Sequence, residues 1–410
     1  MVKRVVITGM GVISAVGMDL DQYWEAVQKG ISGVVPIKRF DTSSFRTKIA
    51  AEIQNFHAKN YIDSKQIDRM DRFSHFSIAA TQHALDDSRV ECLQKRSDIG
   101  VILGTSVGGI YSHEMTCSNF FTQGYASVSP LAIPVIMHNA AACNIARQFG
   151  FTGNNYTIST ACSSASNAIG EAYRCIKHGY SEMIVTGGAD ATLSPVFLSA
   201  WNKLRVLSEH NDDPTKACKP FSKNRNGFVI GEGAGILILE SLSSAKKRNA
   251  KIYAEIIGYG NTNDAHHLTF PNMEQQVQAV RMAMAEAGLT PEQIDYINAH
   301  GTGTKANDKV ETETIKTVFG KHACSIPISS IKPVIGHTLG ASGAMELIAC
   351  VLAMTHGTAP PTINYDVPDP ECDLDYVPNH HRVTNIDIAM SNSFAFGGGN
   401  VVLIIKKVAT

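Results

Sequence analysis

Residues 156–172 read YTISTACSSASNAIGEA, and residues 326–346 read IPISSIKPVIGHTLGASGAME. Each is a short apolar run, then a polar turn, then small residues at helical spacing. Two earlier pairs echo each other in the same order. KRVVITGMG (3–11) matches KIYAEIIGYG (251–260) in its basic start, apolar run and G-x-G. ALDDSRVECLQKRSDIGVILGTSVGG (84–109) matches AMAEAGLTPEQIDYINAHGTGT (283–304) as helix end, connector, buried strand and G-T-rich loop. Three echoes in one order predict a duplicated α/β unit with halves 1–250 and 251–410. The turns of Cys162 and His337 then take equivalent places and meet at one interface.

The turn at Cys162 has its own chemistry. A strand at 156–160 passes into a helix from Ser163 to His178, stopped by Gly179. Cys162 falls in the helix's first turn, where unpaired backbone N–H groups stabilise a thiolate. The other reading is a small buried hydrophobe, the usual fate of a free cysteine.

Composition narrows the classes. The chain has 410 residues, 44% hydrophobic and 18% charged, enough for a large core in an ordinary globular protein. A net charge of −1 gives no overall reason to expect nucleic acid. Nine cysteines without CxxC pairs or paired Cys/His spacing argue against a disulfide framework and a structural metal site. The N-terminal MVKRVVITGMG reads as a strand entering a glycine turn, too short an apolar run for a signal peptide. No apolar stretch approaches the ~18 residues of a membrane span. The expectation is a cytoplasmic protein with no membrane partner.

Two stretches complete a constellation. INAHGTGTKAND (297–308) reads as a buried strand ending at His300 before glycines, and SSIKPVIGHTLGASGA (329–344) sets Lys332 and His337 in one turn. Both lie at strand-to-loop exits, where α/β proteins place their sites. A cysteine with two histidines suits acyl transfer from a thioester, with imidazole N–H groups holding charge on a second thioester's carbonyl. A cysteine hydrolase is the competing use, but Asn298 shares a strand with His300 and is poorly placed to orient that ring. Other patterns fail. GMGVIS (9–14) has Ser14 where a dinucleotide loop needs its third glycine, GEGAG (231–235) lacks a phosphate-binding lysine, and DAHHLT (264–269) reads as a loop.

Together these pieces resemble the elongating β-ketoacyl-acyl carrier protein synthases of type II systems, over essentially the whole chain. TACSSAS (160–166) resembles the family's nucleophile turn, NAHGTGT (298–304) its first histidine motif and IGHTLGASGAME (335–346) its second. NGFVIGEGAG (226–235) and SNSFAFGGGN (391–400) follow the family's order and spacing. The resemblance implies a thiolase fold, five αβαβα layers built from two related halves, and dimerisation. It implies Cys162 as the acylated nucleophile, His300 and His337 as binders of the extender carbonyl, and Lys332 as their support. Asp308 and Glu311 are implied as acidic supports, Phe396 and Gly397 as gate and oxyanion hole, and Asp264 as part of a companion loop. Lys65, Arg69, Arg72 and Arg205 are candidate contacts for an acidic carrier protein, though an ordinary solvated face would read alike. No permanently bound metal or cofactor is implied, because the carrier's phosphopantetheine arm delivers both substrates.

Three positions depart from the family pattern: Pro333 for a usual Ser, Ala395 for Gly before Phe396, and Gly399 for Thr before Asn400. They touch the support and the gate, and suit a specialised synthase such as the ketosynthase α subunit of a type II polyketide or polyene system. The resemblance implies first a β-ketoacyl-acyl carrier protein synthase that extends an acyl chain by two carbons through decarboxylative Claisen condensation with a malonyl carrier protein. The alternative is such an α subunit in a heterodimer with a non-catalytic chain-length factor, and homodimer and heterodimer both stay open. A chain-length factor itself lacks the nucleophile, and a biosynthetic thiolase carries a second cysteine where this chain has Phe396.

Overall fold

The computed structural model describes residues 2–90 and 98–408. The connector expected at 91–97 lies outside them. Ten strands share one mixed sheet. The first half supplies β1 (Val5–Ile13), β2 (Gly100–Gly104), β3 (Asn155–Ile158), β4 (Met183–Asp190) and β5 (Gly233–Ser241). The second supplies β6 (Ala254–Asn263), β7 (Tyr296–Asn298), β8 (Ile328–Ser329), β9 (Ile388–Phe394) and β10 (Gly399–Lys406). Outward from the β1–β6 junction the order is β1-β5-β4-β2-β3 one way and β6-β10-β9-β7-β8 the other. Adding five to each label turns the first order into the second. Directions repeat too: two antiparallel pairings, then two parallel ones, in each half.

Five helices define the layers: α1 (Arg72–Ser88), α2 (Ser164–Lys177), α3 (Met273–Ala287), α4 (Lys305–Phe319) and α5 (Ser342–His356). Alternation along the strands decides which layer each side chain joins. On β5, Leu237 and Leu239 pack into a central core with Ala168 of α2 and Leu347 of α5, while Ile236 and Ile238 pack outward with Phe76 of α1. On β10, Leu403 and Ile405 face the same central core, while Val402 and Ile404 face Val280 of α3 and Phe319 of α4. The result is helix, first half-sheet, helix, second half-sheet, helix, the two five-stranded halves of the one sheet joining at the β1–β6 pairing. This is the thiolase-like arrangement.

Two expectations need correction. The G-x-G at 9–11, expected as a turn, is strand interior, and so is its echo at 258–260. A Cβ at Gly11 would stand 2.0 Å from the Ala80 carbonyl oxygen on α1, and one at Gly260 would stand 1.9 Å from that of Ala279 on α3. The glycines let each outer helix lie directly on its strand. The second correction concerns Leu339–His356, which is long and apolar enough to cross a membrane by length and composition alone. Here 89% of it is buried, with α5 forming part of the layer between the two halves of the sheet.

Candidate active site

The strand–turn–helix unit occurs twice. After β3, Ala161 takes φ 52° and a 3₁₀ turn, Ala161–Ser163, leads into α2. After β8, a helical turn with Pro333 near its start precedes His337, then Leu339 takes φ 50° and a 3₁₀ turn, Leu339–Ala341, leads into α5. Cys162 is the middle residue of the first turn and Gly340 of the second, so His337 stands three positions before the true counterpart of Cys162. Gly340 has no room for a side chain: a Cβ would lie 2.4 Å from the Ser106 nitrogen, and its N–H donates to Asp190 Oδ2 at 2.6 Å.

The duplication brings the cysteine and both histidines together. His337 Nε2 lies 3.1 Å from Cys162 Sγ, its Nδ1 lies 2.9 Å from Ser342 Oγ, and its ring meets that of His300 at 5.4 Å between centroids. Lys332 Nζ donates to the His300 carbonyl oxygen at 2.5 Å and stands 3.5 Å from His300 Nδ1. All four side chains are buried. Burial pushes the Cys162 thiol up to about 12, against the pull of the Lys332 charge and a bond from the Phe396 backbone N–H. Burial, then the Lys332 charge, holds both imidazoles well below their usual range. The resting site therefore holds a neutral thiol beside neutral imidazoles.

The acidic supports divide differently from expectation. Lys332 pairs with Glu346 on α5, both fully buried. Glu311 instead accepts the backbone N–H groups of His300 and Gly301, each at 2.8 Å, and fixes the course of that loop. Burial raises its carboxyl to about 7, although these N–H groups favour the ionised form. Asp308 accepts from the Phe221 N–H at 2.8 Å and the Gly303 N–H at 3.2 Å, and burial raises it as well. Both Asn298 amide atoms are buried without a partner, so it does not orient His300. Glu346 and Ser342 escaped the sequence reading, although both lie in the quoted GASGAME; α5 begins only at Ser342, after the turns that carry Lys332 and His337, so no helical spacing links them.

At the mouth, the Asp264 N–H donates to the Gly398 carbonyl at 2.8 Å, and its carboxylate accepts from Asn400 Nδ2 at 2.7 Å. Gly397 and Gly398 carry the left-handed φ of 83°, whereas Ala395 does not. The positions that require glycine thus fall after Phe396, and alanine is unstrained at 395. A cavity of about 240 Å³ connects Cys162, His300, His337, Asp264, Phe394 and Phe396. Lys65, Arg69 and Arg205 are exposed, the last lining a surface pocket with Arg46 and Lys203. Arg72 is half-buried and turns toward Glu232, 3.2 Å away. Among the described residues no group of three or more His, Cys, Asp or Glu could hold a metal ion.

The sheet order and the Cys/His/His cluster define a thiolase-like condensing enzyme. The family model "Beta-ketoacyl synthase, N-terminal domain" matches residues 2–245 and "Beta-ketoacyl synthase, C-terminal domain" matches residues 253–366. The chain is 45% identical to the 3-oxoacyl-[acyl-carrier-protein] synthase 2 of Synechocystis over 99% of its length and 98% of that protein's. It is similar to the solved ishigamide ketosynthase/chain length factor, with a TM-score of 0.94, 36% identity and complete coverage of both chains. It is also similar to a type II polyketide ketosynthase solved with its acyl-carrier protein, with a TM-score of 0.91, 30% identity and complete coverage of both. The chain belongs to the β-ketoacyl synthase family. It is an acyltransferase that performs a Claisen condensation.

Proposed function

We propose that Cys162 takes an acyl group from a carrier-protein thioester and that the chain extends it by two carbons from a malonyl thioester. The observation carrying this reading is the buried juxtaposition of Cys162 Sγ and the two imidazoles around one cavity, with the Lys332 ammonium behind His300. The backbone N–H groups of Cys162 and Phe396 receive the oxyanion of the acyl carbonyl. His300 and His337 bind the extender's carbonyl oxygen as its carboxylate leaves as CO₂. The enolate carbon then attacks the acyl-Cys162 carbonyl, and the cysteine sulfur departs. Phe396, Gly397 and the Asp264 loop gate the cavity between the two steps. Asp308 and Glu311 hold the loop that carries His300.

The repeated strand order and the separate family matches support halves at 1–250 and 251–410, the first carrying the nucleophile and the second the histidines. Carrier-protein docking at Lys65, Arg69 and Arg205 rests on their exposure and on the ketosynthase solved with its carrier. That likeness, and the one to a ketosynthase/chain length factor, favour a second reading in which this chain is the active subunit of a heterodimer. The free cysteines fit a reducing, cytoplasmic setting.

The test is intact-mass detection of acyl-Cys162 on the purified chain, followed by malonyl-carrier protein. CO₂ release with a two-carbon-longer product supports a self-sufficient enzyme. Acylation without elongation supports the heterodimer. A folded protein that never acylates on Cys162 rules the assignment out.

A further inference from the structure

The Pro195–Leu204 helix carries Trp201, whose ring meets Phe197 at 5.8 Å, Phe228 at 5.3 Å and Phe396 at 5.9 Å between centroids. Phe228 in turn meets the His337 ring at 5.1 Å. Where this helix lies therefore decides how Trp201 stands against Phe396. Packing alone holds it weakly, because Leu198 is its one buried residue. Near its C-terminal end, Asn202 Oδ1 accepts the Thr47 N–H at 2.8 Å. Its N-terminus is closed from elsewhere in the chain. Ser194, at the cap position, makes no side-chain bond to its own helix, and Pro195 has no N–H to give. Glu114 takes over the cap. Its Oε1 accepts the Ser194 hydroxyl at 2.6 Å and the Phe197 N–H at 2.7 Å, and its Oε2 accepts the Val196 N–H at 3.0 Å. Backbone N–H groups only donate, so the carboxylate oxygens are the acceptors. Glu114 lies on the Ile110–Gln123 helix, which has no buried residue of its own. Two residues earlier, the Ser112 N–H donates at 2.9 Å to Asp71, buried at the start of α1, and this fixes the helix beside Glu114.

We infer that Glu114 is a positioning residue for the reaction: its cap holds Trp201 against Phe396 and so keeps the extender out until Cys162 is acylated. This rests on the gate reading of the previous section and extends it to a residue that does not line the cavity. With the cap lost, the Pro195–Leu204 helix shifts at its N-terminal end and Phe396 leaves its resting place early. A malonyl thioester that enters then loses its carboxylate as CO₂ with no acyl-Cys162 to attack. Its enolate carbon takes a proton from water instead, and the product is an acetyl thioester rather than a longer chain.

The experiment reads the cap and the leak separately. The chain has two tryptophans, so Trp24→Phe leaves Trp201 as the sole emitter. In that background Glu114→Leu is expected to red-shift the Trp201 emission. It is also expected to raise the ratio of acetyl-carrier protein to elongated product about fivefold, the population shift of one lost helix cap. Glu114→Gln is expected to stay near the parent in both readouts. Its amide oxygen still accepts from Ser194 and Phe197, while Val196 is exposed and its N–H turns to water. Ser194→Ala removes a single bond and is expected to move both readouts the same way by a smaller factor; it carries the test if the leucine variant does not fold. An unchanged Trp201 emission, or both products falling together at a constant ratio, would overturn the inference. Wild-type protein that never acylates would overturn the functional reading instead, with the emission shift still testing the cap.

Discussion

At the scale of single residues, the site pairs a reactive role with an unreactive resting state. A helix N-terminus alone predicts a lowered thiol, yet burial outweighs it and raises Cys162 to about 12. Because only the thiolate is alkylated, iodoacetamide inactivation should keep accelerating past about pH 10, where an ordinary thiol near 8.5 has levelled off. A plateau near pH 8 would show a thiolate already formed at rest. The Lys332–Glu346 pair offers a second check, since both side chains are fully buried. Glu346→Leu or Lys332→Met alone strands a charge and should cost about 3–5 kcal/mol in denaturant unfolding. The double variant should recover most of that stability without recovering condensation, which would separate the pair's structural and chemical parts. The sequence showed Cys162, His300, His337 and Lys332 because each sits in a turn with a readable pattern. It hid the Glu346 contact because the pairing depends on α5 folding back over the turn that carries Lys332.

At the scale of elements, glycines serve two unlike purposes, and the sequence does not tell them apart. Gly11 and Gly260 sit in strands without needing a special backbone angle; they are small because a helix backbone lies against them. Gly397 is the reverse, with φ 83° and nothing within 4 Å of where a Cβ would stand. Gly260→Ala should therefore force α3 away from β6 and cost about 3 kcal/mol, read as a lowered urea midpoint. Gly397→Ala should cost only about 1 kcal/mol of backbone strain. With Phe396 and Gly397 as the proposed gate, its main effect is expected as slowed elongation with acylation intact. If both variants lost stability equally, the division between docking and gating glycines would fail. The G-x-G echo was legible as a repeat, but its meaning as a helix seat needed the helix position.

For the whole molecule, the question is what finishes the sheet. Its two terminal strands are treated differently. β8 is buried, and its Ile328 N–H donates to the Asp375 carbonyl at 2.8 Å, so its edge is covered by the chain itself. β3 leads straight into the Cys162 turn, yet Asn155 and Tyr156 on it are exposed. The segment between β2 and β3 also leaves Phe121 82%, Tyr125 86% and Ile133 64% exposed. An open strand edge and solvent-facing aromatic rings are both aggregation hazards unless a second chain covers them. Covering β3 would also steady the strand that positions the nucleophile. We therefore expect the protein to run as an assembly of two chains, about twice the 44.2 kDa of one, in mass photometry. Phe121→Asp with Tyr125→Asp should give a folded single chain whose acylation falls with its assembly, since the exposed face and the nucleophile hang on the same edge strand. A wild-type chain that is monomeric and inactive alone, but active once a second, different subunit is supplied, would assign this edge to a heterodimer. A monomer that is fully active alone would remove the edge from the account of catalysis altogether.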